Sequence, residues 1–333
     1  MKLLNKLFIK EIIIIFILLF VYNNYLYKKD VVINADGRGY YEYLPALFIY
    51  NDIRYNYLDT LETDYYKPEQ TSQYYVNSAF ENKVNKYFAG TAFLQSPFFV
   101  FAHFKTKSQL SEYSADGFSK PYQRSIFYSG IFYLFLGLVF IRKLLETYTI
   151  KWWWIVAFQV FTLFNTSLIT YSLYDPAYSH VYSFALISSF LFVVRKYFIS
   201  NNSNYIFWTF ILLGLIVIVR PVNLLAILFI PFLANSGEEF IIKMKELFLT
   251  SWKKLLLGLV FFTGVLCIQF YISYLQTGHP LNYNYGDEGF NFLSPRFFDF
   301  LFSYRKGFFL WSPWWFVIFL TATFFWIKSK KYY

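Results

Sequence analysis

Apolar residues in this chain fall into runs of about 13 to 20, separated by short polar segments rich in Lys, Asn and Ser. Such runs match the ~20 residues a helix needs to cross a hydrocarbon core of ~30 Å. The pattern predicts an all-α, polytopic membrane helix bundle of about eight spans. These cover residues 12–27, 125–141, 152–171, 180–194, 205–219, 222–234, 255–274 and 309–327. Nothing in the pattern suggests a separate soluble domain, so residues 1–333 read as one transmembrane domain. Residues 28–124 form a long first outer loop and 275–308 a second.

Lys and Arg placement sets the orientation, because short cytoplasmic loops hold the excess of both. Lys2, Lys6 and Lys10 precede the first run; Arg142, Lys143 and Lys151 follow the second. Arg195 with Lys196, then Lys243, Lys245, Lys253 and Lys254, and finally Lys328, Lys330 and Lys331 occupy the remaining inner segments. The turn 172–179, on the opposite side, has neither residue type. No small-residue cleavage site follows the first run, which reads as a retained span rather than a signal peptide.

Two segments are ambiguous. Residues 87–104 are apolar and long enough to span, but a crossing there would invert every later loop and put Arg142, Lys143 and Lys151 outside. They are expected as a helix lying at the outer interface, bent by Pro97 and ending near His103. Residues 205–234 would be about 45 Å long as one helix, with Arg220-Pro221 near the middle. A charge in lipid is costly and proline removes a backbone donor, so a reversal there, on the outer side, is expected. The alternative is a single kinked helix.

Composition agrees with the membrane reading. Hydrophobic residues make up 57% and charged residues only 15% of the chain, against about a quarter charged in soluble domains. The formal charge of +10 follows from the positive inner loops and does not imply a nucleic-acid partner. The 44 Phe and 32 Tyr suit membrane interfaces, and AT-rich coding DNA would raise both as well. One cysteine excludes an intrachain disulfide, and three histidines with it make a zinc site implausible. No phosphate-binding loop, dinucleotide fingerprint or nucleophile elbow is present.

Candidate chemistry therefore lies in the outer loops. Asp36, within Ala35-Asp36-Gly37-Arg38-Gly39-Tyr40-Tyr41, follows the first span closely and is flanked by glycines that allow close backbone approach. It reads either as a general base or as a helix N-cap. Tyr40 and Tyr41 stand next to it as substrate contacts. Arg220 either snorkels toward an acid or binds a lipid-linked phosphate bidentately. Arg305 and Lys306 oppose the inner-positive trend and suggest an anionic partner. Arg296, Asp299, Asp287 and Glu288 share that loop. A divalent cation held by Asp36 with Asp287 or Glu288 is conceivable chemistry. His180, at the outer start of a span, is either structural or a proton donor to substrate.

The order of first span, Asp36, Tyr40-Tyr41 and Leu44, with Asn85-Lys86-Tyr87 and Val219-Arg220-Pro221-Val222 further on, resembles the GT-C membrane glycosyltransferases. The branch it is most similar to holds the protein O-mannosyltransferases and aminoarabinose transferases. The resemblance covers roughly residues 6–313 through short motifs. It implies transfer of a sugar from a polyprenyl-phosphate donor to a glycan, lipid or protein acceptor at the outer face of the cytoplasmic membrane. Asp36 would be the base, and Arg220, with Arg305 and Lys306, would bind the donor phosphate. Gly37 stands where the family often has a second acid, leaving Glu42 as the substitute. Members commonly have more than eight spans, so this chain is short by that pattern. Two other functions fit the sequence: a polysaccharide polymerase or ligase using outer arginines, and a non-enzymatic lipid or solute transporter.

Overall fold

The computed structural model describes residues 8–25, 30–66, 75–77, 83–108, 112–200, 202–281, 293–305 and 307–328. Among the described residues the regular structure is helical apart from one antiparallel pair of short strands. The first helix, α1 (Ile9–Tyr25), is followed by three short ones, α2 (Asp36–Tyr41), α3 (Tyr43–Pro45) and α4 (Leu58–Tyr65), with a π-helical turn at Ala46–Tyr50. Strands β1 (Tyr75–Asn77) and β2 (Lys83–Asn85) pair with Val76 opposite Val84. Helices α5 (Gly90–Ser108), α6 (Lys120–Glu146), α7 (Trp152–Phe164), α8 (Leu168–Leu173), α9 (Ser179–Ile199) and α10 (Asn204–Val219) come next. A 3₁₀ helix at Pro221–Leu233 leads to α11 (Gly237–Leu249), α12 (Trp252–Thr277), α13 (Phe297–Phe302), α14 (Phe308–Trp311) and α15 (Pro313–Lys328).

Three of these helices, α6, α9 and α12, are long and apolar enough to cross a membrane. The 3₁₀ helix and α11 pass the same test only together, and they meet at 115°. Each of the eight expected runs falls on a helix or helix pair, but several fall short of a full crossing. Asn165 interrupts one of them: its backbone N–H closes the last turn of α7 on the Phe161 carbonyl, and α8 begins only at Leu168.

The expected reversal at Arg220-Pro221 is present. Arg220 is extended (φ −161°, ψ 114°), the conformation favoured for a residue whose successor is proline. Beyond it the chain turns back along α9. Asn223 donates to Ser183 Oγ at 2.8 Å near the start of α9, and Arg195 near its far end donates to the Leu233 carbonyl at 2.7 Å. The 3₁₀ form explains how so short an arm returns the whole distance. Thirteen residues at about 2.0 Å each cover ~26 Å, whereas as an α-helix they would cover ~20 Å. The sixteen residues of α10 rise ~24 Å, so the two arms match.

The Arg142 ion pairs and several cation-held loops gather at one end of the bundle. Arg142 Nε donates to Glu11 at 2.7 Å and Arg142 Nη1 to Glu146 at 2.9 Å. Gln159 also donates to Glu11, at 3.0 Å. Arg195 holds Asn235, and Lys254 holds Ser203 and Asn204. Between the ends lies an apolar core in which Leu134, Leu138, Val181, Phe190 and Ile216 are fully buried.

At the opposite end, residues 30–66 pack with α5 and the start of α6 into a cap with a tyrosine-rich interior. Tyr41, Tyr55, Phe99, Phe118 and Tyr122 are buried together. Several of the cap's phenols are satisfied by backbone: Tyr43 donates to the Tyr87 carbonyl at 2.6 Å, and Tyr66 to that of Ile33 at 2.9 Å. A tyrosine buries a ring while its hydroxyl satisfies a carbonyl, which suits a core built from loops. The backbone N–H groups of Val32 and Ile33 both reach Gln123, tying the cap to α6.

Helix α5 packs antiparallel along the first half of α6, with Tyr133 donating to the Leu94 carbonyl at 3.1 Å and His103 paired with Tyr122 at 2.7 Å. Gly90 lets its start press against α10, for a Cβ there would stand 2.3 Å from the Ile218 carbonyl carbon. Gln95 then bridges to Tyr182 and the Ala177 carbonyl. These buried polar contacts, not an amphipathic face, fix its direction.

Gly90→Ala should therefore destabilise the protein by about 1–3 kcal/mol, since backbone cannot yield to the added methyl. Gly264→Ala, with nothing within 4 Å of the new Cβ, should leave stability unchanged or raise it by up to ~1 kcal/mol. Thermal unfolding of the two detergent-solubilised variants checks the contrast.

Candidate functional site

Asp36 opens α2, and the residue before it is strained: Ala35 has φ 45°, ψ −136°. That region is nearly reserved for glycine, and an alanine there costs of order 1–3 kcal/mol. The strain turns the chain sharply into α2 and leaves the Asp36 side chain exposed. Asp36 lies inside the helix rather than at its N-cap, which is Ala35. The N-cap reading is corrected accordingly.

The six residues of α2 divide between two faces, because each step turns the helix by about 100°. Asp36 and Tyr40, four apart, point to one side. Arg38 and Glu42, also four apart, point into the cap, where both are buried: Nη2 of Arg38 lies 2.8 Å and Nε 2.9 Å from Glu42 Oε1. The guanidinium also sits 3.9 Å above the ring of Tyr66. Gly37 allows α2 to rest on the loop before α9, since a Cβ there would approach Ala177 Cβ to 2.8 Å.

That loop brings the remaining groups. Ser179 faces the Tyr40 phenol, and the charges of Asp36 and Arg220 both act on Tyr40, Tyr171 and His180. The His180 ring stacks on Tyr171 at 3.8 Å between centroids, with Tyr178 at 6.3 Å. Tyr40 in turn lies against Tyr87, 4.4 Å between ring centres. Burial pushes the Tyr40 phenol above its ordinary range. Its contact with Ser179 and the charge of Arg220 lower it in part, while Asp36 raises it. At neutral pH the group stays a proton donor.

Asp36 and Arg220, far apart in sequence, thus share one neighbourhood at the capped end. Neither forms a salt bridge or hydrogen bond with its side chain among the described residues. The carboxylate and the guanidinium are near enough to act on the same three rings without neutralising each other directly. The arrangement brings a carboxylate, a guanidinium fork and a phenolic donor to the same end of the bundle.

Four of the sequence-selected residues, Asp36, Arg220, Tyr40 and His180, come together here. Two others do not. Tyr41 is fully buried in the cap with its hydroxyl on the Gly117 carbonyl, so it is a core residue and not a substrate contact. Glu42 is held by Arg38 and is 0% exposed, so it cannot serve as the second acid. Arg305 lines a separate depression of about 460 Å³ with Arg296 and Asp299. Asp287, Glu288 and Lys306 lie outside the described residues, and with them any cation site joining Asp36 to that loop. Tyr171 and Ser179 belong to the site but carry no sequence signal beyond their closeness to His180. Asp175, which also acts on Tyr171 and accepts a bond from Asn34 at 3.4 Å, flanks it.

Comparison with known proteins adds nothing to this geometry: no family model, no curated protein and no solved structure matches the chain.

The Arg38–Glu42 pair should be needed to hold α2 in place. Glu42→Gln, which takes the carboxylate away from a buried guanidinium, is expected to destabilise the protein by about 3–5 kcal/mol. Arg38→Met combined with Glu42→Leu should recover part of that loss, because both charges of the pair are removed together. Denaturation midpoints of the single and double variants test the pairing.

Proposed function

We propose that this protein is a membrane glycosyltransferase that uses a polyprenyl-phosphate sugar as donor. Its site lies at the outer face of the cytoplasmic membrane. The observation that carries the reading is the meeting of Asp36 with Arg220 beside Tyr40 and His180. In this reading all eight apolar segments cross or nearly cross the bilayer, and the Lys- and Arg-rich end faces the cytoplasm.

The chemistry follows from the two charges. An acceptor hydroxyl attacks the anomeric carbon of the donor sugar while Asp36 takes its proton. The bond between that carbon and the phosphate oxygen breaks, and the configuration inverts. The departing polyprenyl phosphate gains negative charge, which Arg220 offsets through its paired N–H donors. Tyr40, kept protonated by burial, donates to a substrate oxygen. The acceptor is a glycan, lipid or protein hydroxyl. No step as written needs a metal.

A second reading rests on the depression shared by Arg296 and Arg305. A polymerase or ligase working through those arginines would need them and not Asp36.

Asp36→Asn should lower sugar transfer from a polyprenyl-phosphate donor by about 10²–10⁴-fold, the span of a lost general base, with membrane insertion intact. Arg220→Gln should lower turnover, and raising the donor concentration should not restore it. Full transfer by Asp36→Asn, alongside loss in Arg296→Ala or Arg305→Ala, would move the assignment to the second reading.

A further inference from the structure

A pocket of about 690 Å³ opens between α5 and α6 on the outside of the bundle. It is apart from the Asp36 neighbourhood: Gly90, at the start of α5, abuts α10, whereas the pocket begins two turns later at Pro97. Its walls are Pro97, Phe98 and Phe101 on one helix and Pro121 and Tyr128 on the other. Phe101 is 71% and Tyr128 59% exposed. Lys105 and Arg124 supply its charge, and its described lining contains no acidic side chain. Neither cation forms an ion pair among the described residues.

The order of these groups is regular. On α5, Lys105 stands one turn beyond Phe101; on the antiparallel α6, Arg124 stands one turn before Tyr128. Both helices therefore place a cation at the same end of the groove and an aromatic ring one turn deeper. Helix α6 has 27 residues, about 40 Å, against a hydrocarbon core of ~30 Å. With its Arg142 end at the inner side, its first turns, including Arg124, reach the headgroup layer. The rings then lie at the depth of acyl chains.

We infer that this groove binds an anionic glycerophospholipid of the outer leaflet, its phosphate between Lys105 and Arg124 and one acyl chain along Phe98, Phe101 and Tyr128. Charge complementarity selects the headgroup, since two cations with no ion pair among the described residues and no acid in the described lining favour a lipid of net negative charge. The apolar floor selects a lipid over a free anion. The bound lipid would brace α5, whose first turn supports the reversal at Arg220.

The test uses the full chain, purified in mild detergent and examined by native mass spectrometry after exposure to phosphatidylglycerol or phosphatidylcholine. The wild type should retain phosphatidylglycerol preferentially. Lys105→Gln with Arg124→Gln should retain it roughly 20- to 30-fold less, from about fivefold for each cation lost near a lipid surface. Lys107→Gln, outside the lining, should retain it normally. Equal retention of the two lipids, undiminished retention by the double variant, or displacement by millimolar inorganic phosphate would overturn the inference. A photoactivatable phosphatidylglycerol applied to the unaltered protein should label peptides from α5 and α6, and labelling only elsewhere would overturn it too.

Discussion

The proline at position 221 governs this architecture. It disfavours the helical conformation at Arg220, ends α10 and sends the chain back along α9. Reversal inside an apolar stretch leaves backbone groups to satisfy, and the structure does so locally: the Arg220 N–H bonds to Ile216 and its carbonyl accepts from Asn223. The return arm then reaches Arg195 because its 3₁₀ rise is longer per residue than that of an α-helix. Arg220 stands at the turn, held at the capped end by both arms. Gly90 seats α5 directly on the last residues of α10, so the cap and the bundle meet at this point.

The cap contributes the other half of the site by a different principle. Its core is made of tyrosines whose hydroxyls reach backbone carbonyls, together with one buried Arg38–Glu42 pair beside Tyr66. A buried pair of this kind is a weak source of stability but a strong constraint on geometry, because neither charge tolerates separation from the other. Here it fixes the inward face of α2. The outward face, one half-turn away, then carries Asp36 and Tyr40 toward α9 and Arg220. The strained Ala35 is the local cost of that placement.

Much of this was legible in the sequence, and the limits are physical. Apolar runs located α1, α6, α9, α10, α12 and α15, whereas α11 falls in what read as an inner loop, and Arg220-Pro221 signalled the reversal because charge and proline act against a continuous crossing together. Assigning Asp36 and Arg220 to one side of the membrane made their meeting an expectation, which the proposed function rests on. What the sequence hid was the division of α2 into faces. Six residues containing two glycines show no periodicity, so Tyr41 and Glu42 looked as available as Asp36. The direction of α5 was hidden too, since it depends on Gly90 and Gln95 meeting partners remote in sequence. Runs too short for a full crossing also looked like complete spans, because hydropathy does not reveal where a helix such as α7 breaks.

The central claim is that Asp36 and Arg220 border one space on the outer side. Site-directed crosslinking tests it most directly. In a Cys267→Ser background, Asp36→Cys and Arg220→Cys are introduced together and treated with a short membrane-impermeant bis-maleimide from outside the cell. An intramolecular crosslink is expected, blocked by prior treatment with an impermeant mono-maleimide. If each cysteine is modified only from opposite sides of the membrane, or both react from outside without ever joining, the shared site does not exist.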